Sequence, residues 1–438
     1  MEHIIIKGGK PLIGTVSVSG AKNAALAILP AVILSQGISV IDNLPDIEDI
    51  KNLVEILQNL GAKCKFKDTH TLIIDTTNIT SRKAAYEAVK KIRASYYLLG
   101  ALLSRFKEAE VAMPGGCNFG QRPIDQHIRG FQALGAKISI NHGMVKLKSE
   151  NLTGANIYLD VVSVGATINT MLAATLANGT TIIENAAKEP HVVDTANFLN
   201  VMGANIKGAG TDVIRITGVK KLKGVHYTII PDQIEAGTYM IAAAITSGSI
   251  TVQNIIPKHM DPLTAKLIEM KCQIEEGDDY IKVTAPKNLS PANIKTMVYP
   301  GFPTDLQPQM TALLSCAKGS SMITENVWES RFQFVGELRR LGCDIDVKDR
   351  VAVTQGYANL TGAEVHATDL RAGAALVLAG LNAKGTTTIF NAKQINRGYE
   401  NIEGKLKSLG ADIYQIRTTE ELQEKSEGPL IFPKSKVI

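Results

Sequence analysis

The sequence contains one pattern that recurs six times, with a period of about 70 residues. Its first marker is an amphipathic helix that ends in a glycine turn, at Gly61, Gly135, Gly203, Gly342 and Gly410, with Lys271 in the glycine position of the fourth copy. Its second marker is a β-rich strand opened by a glycine, at Gly37, Gly179, Gly248, Gly319 and Gly385. Because the two markers keep step along the chain, the repeat reflects a structural unit.

A run of small and apolar residues precedes each of these strands, for example GTYMIAAAITS before Gly248. Such a run is hydrophobic on nearly all sides, which predicts a buried helix. Each unit is therefore predicted as strand, buried helix, strand, amphipathic helix and strand. One unit cannot bury its inner helix alone, so neighbouring units must share a core. Three units around one axis would bury three helices together, and six units predict an α/β fold of two such domains.

The segment KKLKGVHYTIIP, from Lys220 to Pro231, is polar and lacks both markers, so we place the domain boundary there. Residues 1–20 are expected to form a strand that completes the sheets of the carboxy-terminal half. The predicted domains are residues 21–229, with three repeats and the Cys117 loop, residues 1–20 plus 230–418, with the other three repeats, and a tail of residues 419–438.

Composition excludes several classes of protein. The 438-residue chain has a net charge of +5 with Lys and Arg interleaved among Asp and Glu, which argues against a nucleic-acid surface and weakly for small anionic ligands. No apolar run suits a signal peptide or a membrane span, so we expect a cytoplasmic protein with no membrane partner. The five cysteines form no CxxC pair and the eight histidines are scattered, so neither a disulfide framework nor a metal site is predicted.

Polar residues stand at the predicted starts of the buried helices. They are Lys22 with Asn23, Arg93 with Ser95, Ser163 with Gly165, Asp232 with Glu235, Asp305, and Asp369 with Arg371. A helix start offers unpaired N–H groups that favour phosphate or carboxylate ligands, which predicts an anionic substrate between the domains. A simpler interpretation makes helix caps of Ser163, Asp232, Asp305 and Asp369, worth about 1 kcal/mol each. Capping does not require Lys22 or Arg371.

The segment PGGCNFGQRPIDQH interrupts the second copy with a glycine-rich stretch, which predicts a loop around Cys117. A cation such as Arg122 would lower the pKa of this thiol and make it reactive. The other four cysteines lack such a setting and are predicted to be inert. His127 is equally compatible with a surface position on the following helix and with a ligand contact.

Several motifs follow one another over roughly residues 1 to 415, namely SGAKNAAL, KIRAS, PGGCNFGQRPIDQH, SVGAT, PDQIEAGT, GFPTDLQPQ, ATDLRAG and NRGYENIE. In this order they resemble the UDP-N-acetylglucosamine 1-carboxyvinyltransferase family. The resemblance implies an inside-out α/β barrel in two domains. It also implies transfer of the enolpyruvyl group of phosphoenolpyruvate to the 3-hydroxyl of UDP-N-acetylglucosamine, with release of phosphate, as the first committed step of peptidoglycan synthesis. It implies neither a metal nor an organic cofactor.

The resemblance also implies roles for individual residues. Phosphoenolpyruvate would be bound by Lys22, Arg122 and Arg397. The UDP-sugar would be held by Asn23, Arg93, Ser163, Val164, Gly165, Asp305 and Val327, with Pro123, Ile124, Asp125 and Gln126 on the uridine side and Arg371 as a further substrate contact. Asp305 would accept the proton of the 3-hydroxyl, Cys117 would protonate C3 of phosphoenolpyruvate, and Asp369 would stabilise cationic character at C2. Val161, Gln233 and Asn396 depart from residues common in the family, which concerns affinity more than chemistry.

Two rival interpretations stay open. The sister enzyme that makes 5-enolpyruvylshikimate 3-phosphate shares the barrel and the cations for phosphoenolpyruvate, but it has no need of the PGGC loop. A non-catalytic ring that clamps DNA can also be built from six repeats. Such a ring would carry Lys and Arg along its inner helices, whereas the predicted inner helices are almost bare of charge.

Overall fold

The computed structural model describes residues 2–84, 86–89, 92–113 and 124–416. The strands are β1 (His3–Lys7), β2 (Ile13–Ser17), β3 (Ile38–Asp42), β4 (Lys63–Phe66), β5 (Leu72–Asp75), β6 (Lys83–Ala84), β7 (Glu108–Ala112), β8 (Lys137–Asn141), β9 (Met144–Lys148), β10 (Asn156–Tyr158), β11 (Thr180–Glu184), β12 (Asn205–Lys207), β13 (Val213–Thr217), β14 (His226–Thr228), β15 (Ser249–Gln253), β16 (Gln273–Glu276), β17 (Tyr280–Thr284), β18 (Ile294–Lys295), β19 (Ser321–Thr324), β20 (Ile345–Lys348), β21 (Val351–Thr354), β22 (Glu364–His366), β23 (Thr386–Phe390) and β24 (Asp412–Ile416).

The α-helices are α1 (Lys22–Ala31), α2 (Glu48–Asn59), α3 (Tyr86–Val89), α4 (Tyr97–Phe106), α5 (Asp125–Ala133), α6 (Val164–Ala174), α7 (Pro190–Val201), α8 (Gln233–Ile245), α9 (Asp261–Glu269), α10 (Gln307–Ser315), α11 (Val335–Arg340), α12 (Leu370–Asn382), α13 (Lys393–Asn396) and α14 (Ile402–Ser408). Short 3-10 helices cover Val32–Leu34, Arg93–Tyr96, Pro257–Met260 and Thr304–Leu306.

The described strands form six four-stranded sheets that share one arrangement. In the sheet of the third repeat the order is β10-β11-β13-β12, with β10 parallel to β11 and the remaining neighbours antiparallel. The other five sheets have the same order and the same directions. The predicted α/β class and six-fold repeat are therefore confirmed. In the described part of the chain the sheets are separate, so the barrel consists of packed helices and sheets without a continuous hydrogen-bonded cylinder.

The expected three strands per unit are wrong, because each sheet has four. In the first five units a β-hairpin follows the second helix, and its first strand was not recognised. In the sixth unit β24 follows α14 and pairs with β1 instead. In β4 (KCKF) and β16 (QIEE) most residues are exposed. Each of these strands has four residues and one half-buried side chain, so it gives little of the hydrophobic pattern from which a strand is predicted.

Strands from distant parts of the chain complete three of the sheets. Two of these strands belong to the amino-terminal segment. Strand β1 lies between β23 and β24, and β2 pairs with β15. Within the amino-terminal half, β14 returns from the end of the third repeat to pair with β3. The amino-terminal segment thus supplies two strands to the carboxy-terminal half, one more than expected.

Two hydrophobic cores divide the molecule. One is built from residues between 21 and 229, and the other from residues 4–18 together with residues between 234 and 413. The first surrounds α1, α4 and α6, and the second surrounds α8, α10 and α12. In α8 every residue from Ile234 to Ile245 is buried, as its sequence predicts. These cores support the domain division given above, which we propose on that basis. Among the described residues, no helix has both the length and the apolarity to cross a bilayer.

Candidate active site

Two of the predicted cations meet on one buried carboxylate. Lys22 is the first residue of α1, and its Nζ lies 2.8 Å from Oδ2 of Asp49, in the first turn of α2. Arg397 follows α13 in the carboxy-terminal half, and its Nε donates to Oδ1 of Asp49 at 3.0 Å. Asp49 is only 3% exposed, so both contacts are shielded from water. The structure thus brings a cation from each half to a single point.

Electrostatics at this point favour an anionic ligand. Burial lowers the pKa of Lys22 and Asp49 opposes this, while the nearby charges of Arg371 and Arg397 lower it further. Burial raises the pKa of Asp49, but Lys22 and Arg397 outweigh burial and hold that pKa below its usual range. Two cations therefore share the Asp49 carboxylate, with Arg371 acting on Lys22 as well, and a bound anion would offset the excess positive charge.

Asp305 faces two buried arginines. Arg371 donates from Nη2 to Oδ2 at 3.2 Å, and Nη2 of Arg331 lies 3.5 Å from Oδ1. The guanidinium of Arg371 also lies over the ring of Tyr399, 5.6 Å from its centroid. Arg371 also lowers the pKa of Lys22, which links the Asp305 cluster electrostatically to the Asp49 cluster.

The capping interpretation is confirmed for three residues. Ser163 Oγ accepts from Ala166 N at 3.3 Å, and one oxygen each of Asp232 and Asp369 accepts from two N–H groups of its helix. For Asp305 the interpretation is wrong, because the residue lies inside the 3-10 turn Thr304–Leu306 that leads into α10. Its carboxylate contacts arginines instead.

Asp232 also links the two halves. Besides capping α8, it accepts with Oδ2 from Lys22 N at 3.0 Å. The backbone at the start of α1 is therefore held by the start of α8. This contact fixes where the Lys22 side chain enters the site.

Gln126, one of the residues predicted to lie beside the uridine, is in the first turn of α5. Its Oε1 accepts from Asp160 N at 2.9 Å and its Nε2 donates to Asp125 Oδ2 at 2.8 Å. These bonds tie the start of α5, with Ile124 as its N-cap, to the segment that leads into α6. Val161, in that segment, is 58% exposed.

The first turn of α6 carries Val164 and Gly165, after the Ser163 cap. A Cβ atom on Gly165 would lie 3.0 Å from the His127 ring and 3.1 Å from Tyr96 Oη, so this position suits glycine. The helix start is thus packed closely against α5.

The surface interpretation of His127 is wrong. The side chain is 7% exposed, and its Nδ1 pairs with Asn169 Nδ2 at 3.0 Å. Burial lowers the pKa of His127 to about 4, so the ring is neutral at physiological pH. Its contact with a ligand stays a prediction.

The remaining predicted residues are in part described by the structure and in part outside the described residues. Asn23 is half-buried on α1, Val327 is half-buried after β19, and Asn396 donates to Glu2 Oε2 at 3.2 Å. Outside the described part of the chain lie Cys117, Arg122, Pro123 and the side chain of Arg93. Burial raises the pKa of the four described cysteines, to about 11 for Cys64, Cys272 and Cys343 and to about 12 for Cys316. Their inertness stays a prediction, which these raised pKa values favour.

Asp49 and Arg331 were not recognised in the sequence. Asp49 lies in DIEDIK at the start of an amphipathic helix, where acidic residues are common because they complement the helix dipole. Arg331 lies in a segment without a repeat marker. Neither position carries a signal that separates it from ordinary surface charge.

Comparison with known proteins agrees with this geometry. The family model described as EPSP synthase (3-phosphoshikimate 1-carboxyvinyltransferase) matches residues 6–406. A UDP-N-acetylglucosamine 1-carboxyvinyltransferase 3 of Caldanaerobacter subterraneus subsp. tengcongensis is 58% identical over 95% of this chain and 100% of its own. The chain belongs to the UDP-N-acetylglucosamine 1-carboxyvinyltransferase family. It is therefore a transferase.

Other members of this family agree over nearly their whole length. The Clostridium botulinum protein is 58% identical over 95% of this chain and 100% of its own, and a Bacillus subtilis protein is 53% identical over 96% and 98%. Among solved structures, the enolpyruvyl transferase NikO from Streptomyces tendae has a TM-score of 0.87 at 28% identity, covering 95% of this chain and 99% of its own. EPSP synthase from Acinetobacter baumannii, at 18% identity and a TM-score of 0.74, shares the fold.

Proposed function

We propose that this transferase moves the enolpyruvyl group of phosphoenolpyruvate to the 3-hydroxyl of UDP-N-acetylglucosamine and releases phosphate. The observation that carries the proposal is the meeting of Lys22 and Arg397, from opposite halves, on the buried carboxylate of Asp49. Phosphoenolpyruvate carries nearly three negative charges in a small volume. A pocket where cations converge suits it, and the arginine fork adds directional hydrogen bonds.

Asp305 is the proposed base. It accepts the proton of the sugar 3-hydroxyl as that oxygen attacks C2 of phosphoenolpyruvate. Arg371 and Arg331 each contact one of its two carboxylate oxygens, which orients the group without supplying a competing acceptor. Positioned proton transfer of this kind contributes about 10²- to 10⁴-fold to a rate.

Cys117 is the proposed acid. Its proton adds to C3 as the C2–oxygen bond forms, which gives a tetrahedral intermediate. Loss of a proton from C3 and of phosphate from C2 then restores the double bond and yields the enolpyruvyl ether. Asp369 is proposed to stabilise the cationic character that C2 acquires in both steps.

The remaining predicted contacts are proposed to bind the nucleotide sugar. They are Asn23, Arg93, Arg122, Pro123, Ile124, Asp125, Gln126, Ser163, Val164, Gly165, Val327 and Arg371, with Arg122 shared with phosphoenolpyruvate. We further propose that the enzyme works in the cytoplasm, where phosphoenolpyruvate is formed, and with no nucleic-acid partner.

A phosphate-release assay with two alternative acceptors tests the proposal. With phosphoenolpyruvate present, UDP-N-acetylglucosamine is expected to support continuous release of phosphate, and shikimate 3-phosphate is not. Release with shikimate 3-phosphate alone would instead assign the chain to the sister reaction.

A further inference from the structure

Glu325 is a fully buried carboxylate that follows strand β19. It accepts four hydrogen bonds. Its Oε1 accepts from Thr296 Oγ1 at 2.8 Å, from Val327 N at 2.8 Å and from Trp328 N at 3.0 Å. Its Oε2 accepts from Thr304 Oγ1 at 3.0 Å. The carboxylate is therefore satisfied by two hydroxyls and two backbone amides, as a buried charge requires.

These bonds join segments that are distant in sequence. Thr304 precedes Asp305 in the 3-10 turn that leads into α10. Val327 belongs to the segment after β19 that is proposed to touch the UDP-sugar. Thr296 follows β18 and accepts from Asn326 N at 2.9 Å. It therefore joins the end of β18 to the segment that follows Glu325.

We propose that Glu325 is a positioning residue, which sets the Asp305 base against the sugar-binding segment at Val327. The inference rests on the proposed function, because it takes Asp305 as the base and Val327 as a sugar contact. Arg331 and Arg371 orient the Asp305 carboxylate, and Glu325 holds the backbone turn from which that carboxylate projects. A displacement of about 1 Å in a reacting group can cost about 100-fold in rate.

The two carboxylate oxygens have separable tasks. Oε2 holds the Asp305 turn through Thr304, so losing this bond affects the chemical step. Oε1 holds the Val327 backbone, so losing that bond affects binding of the sugar nucleotide. The bond to Oε2 is therefore expected to affect kcat, and the bond from Val327 to Oε1 is expected to affect the KM for UDP-N-acetylglucosamine.

Three substitutions test this assignment. Thr304→Val keeps the side-chain shape and removes only the hydroxyl, so kcat is expected to fall about 10- to 100-fold while the KM for UDP-N-acetylglucosamine stays unchanged. Glu325→Ala loses both links, so kcat is expected to fall and the KM for the sugar nucleotide to rise, with a smaller change for phosphoenolpyruvate. Glu325→Gln can keep its oxygen towards Val327 and turn its amide to the Thr304 hydroxyl, so it is expected to restore most of the turnover.

Ser321→Ala is the matched control. Ser321 is buried at the opposite end of β19 from Glu325, and its hydroxyl accepts from Ala292 N at 3.3 Å. Its loss is expected to leave both kinetic constants unchanged. Melting temperatures of all variants separate loss of folded protein from loss of positioning.

The inference is overturned if folded Thr304→Val keeps the parental kcat, or if Glu325→Gln is as impaired as Glu325→Ala. Asp305→Ala, measured alongside, tests the proposed function separately. If that variant keeps full turnover, Asp305 is not the base and the assignment of kcat to Oε2 falls with it. If Asp305→Ala is inactive while Thr304→Val is normal, the proposed function stands and only the role of Glu325 is lost.

Discussion

Asp49 shows how a single buried carboxylate can set the charge state of an anion site. It raises the pKa of Lys22 against the effect of burial and holds Arg397 from the other half. The cations themselves could be predicted, because Lys22 and Arg397 lie in motifs with a family resemblance. Their common partner could not, because only the fold brings α2 beside both of them.

Asp49→Asn is expected to narrow the pH range of activity. Without the carboxylate charge, burial lowers the pKa of Lys22 further, and Lys22 must be charged to bind phosphoenolpyruvate. The alkaline limb of kcat/KM for phosphoenolpyruvate should therefore move to lower pH. Asp46→Asn is the control, since Asp46 pairs with Lys51 at the exposed surface. An alkaline limb that stays in place in Asp49→Asn would contradict this role.

Asp194 is expected to make stability depend on pH. It is 2% exposed and accepts from Tyr227 Oη at 2.6 Å, and burial raises its pKa from 3.8 to about 6. Below about pH 4 the Asp194 carboxyl is protonated in both the folded and the unfolded protein, so no buried charge reduces stability. Between pH 4 and 6 the unfolded chain ionises first, so stability is lost as pH rises, by up to about 3 kcal/mol.

Asp194→Asn keeps an acceptor for Tyr227 and removes this titration. The melting temperature of the variant relative to the parent should therefore rise from pH 4 to pH 6 and then level off. A difference that is constant over this range would show that Asp194 ionises normally in the folded protein.

Cys117 is expected to be the thiol that fosfomycin, a small epoxide resembling phosphoenolpyruvate, alkylates. The raised pKa of the four described cysteines keeps them protonated at neutral pH. Peptide mass spectrometry should find one adduct, at Cys117, in the presence of UDP-N-acetylglucosamine. Cys117→Ser should lose about 10²-fold or more of turnover, and Cys117→Asp should keep part of it, because a carboxylic acid also donates a proton. Labelling of another cysteine would argue against the assignment.

Among the secondary-structure elements, the glycine turn that closes each amphipathic helix was predictable in full. Its residue has φ of 109° at Gly203 and 97° at Gly410, and Lys271 adopts the same left-handed conformation with φ of 74°. The turn geometry therefore persists where the glycine is lost. The hairpin that follows in the first five units was not predictable, because strands such as β4 and β16 have only four residues and are mostly exposed.

Lys271→Gly is expected to stabilise the protein. A left-handed conformation costs a side-chain-bearing residue about 1 kcal/mol or more, and glycine avoids this cost. Gly410→Ala is the matched reverse change, because a Cβ there would meet no atom within 4 Å and only the backbone is strained. Urea unfolding should show opposite shifts of similar size. If Lys271→Gly lowered the free energy of unfolding, as Gly410→Ala is expected to do, side-chain contacts of Lys271 would outweigh the backbone strain.

On the scale of the whole molecule, polar contacts join the two halves. Besides Arg397 with Asp49, the backbone N of Asp46 donates to Glu400 Oε2 at 3.1 Å, and Tyr299 N donates to Glu189 Oε1 at 3.4 Å. Repeat periodicity predicted two lobes of three units, because each unit needs neighbours to bury its inner helix. The return of β14 to β3, within the amino-terminal lobe, depends on long-range pairing, which local patterns do not encode.

The central claim is that the two halves join phosphoenolpyruvate to the 3-hydroxyl of UDP-N-acetylglucosamine. The most direct measurement is heteronuclear NMR of the product formed from ¹³C-labelled phosphoenolpyruvate and the sugar nucleotide. We predict that C2 of the enolpyruvyl group couples through oxygen to the sugar proton at position 3, and that Asp305→Ala forms far less of this product. A coupling to another position, or no coupled product from active parent protein, would contradict the account.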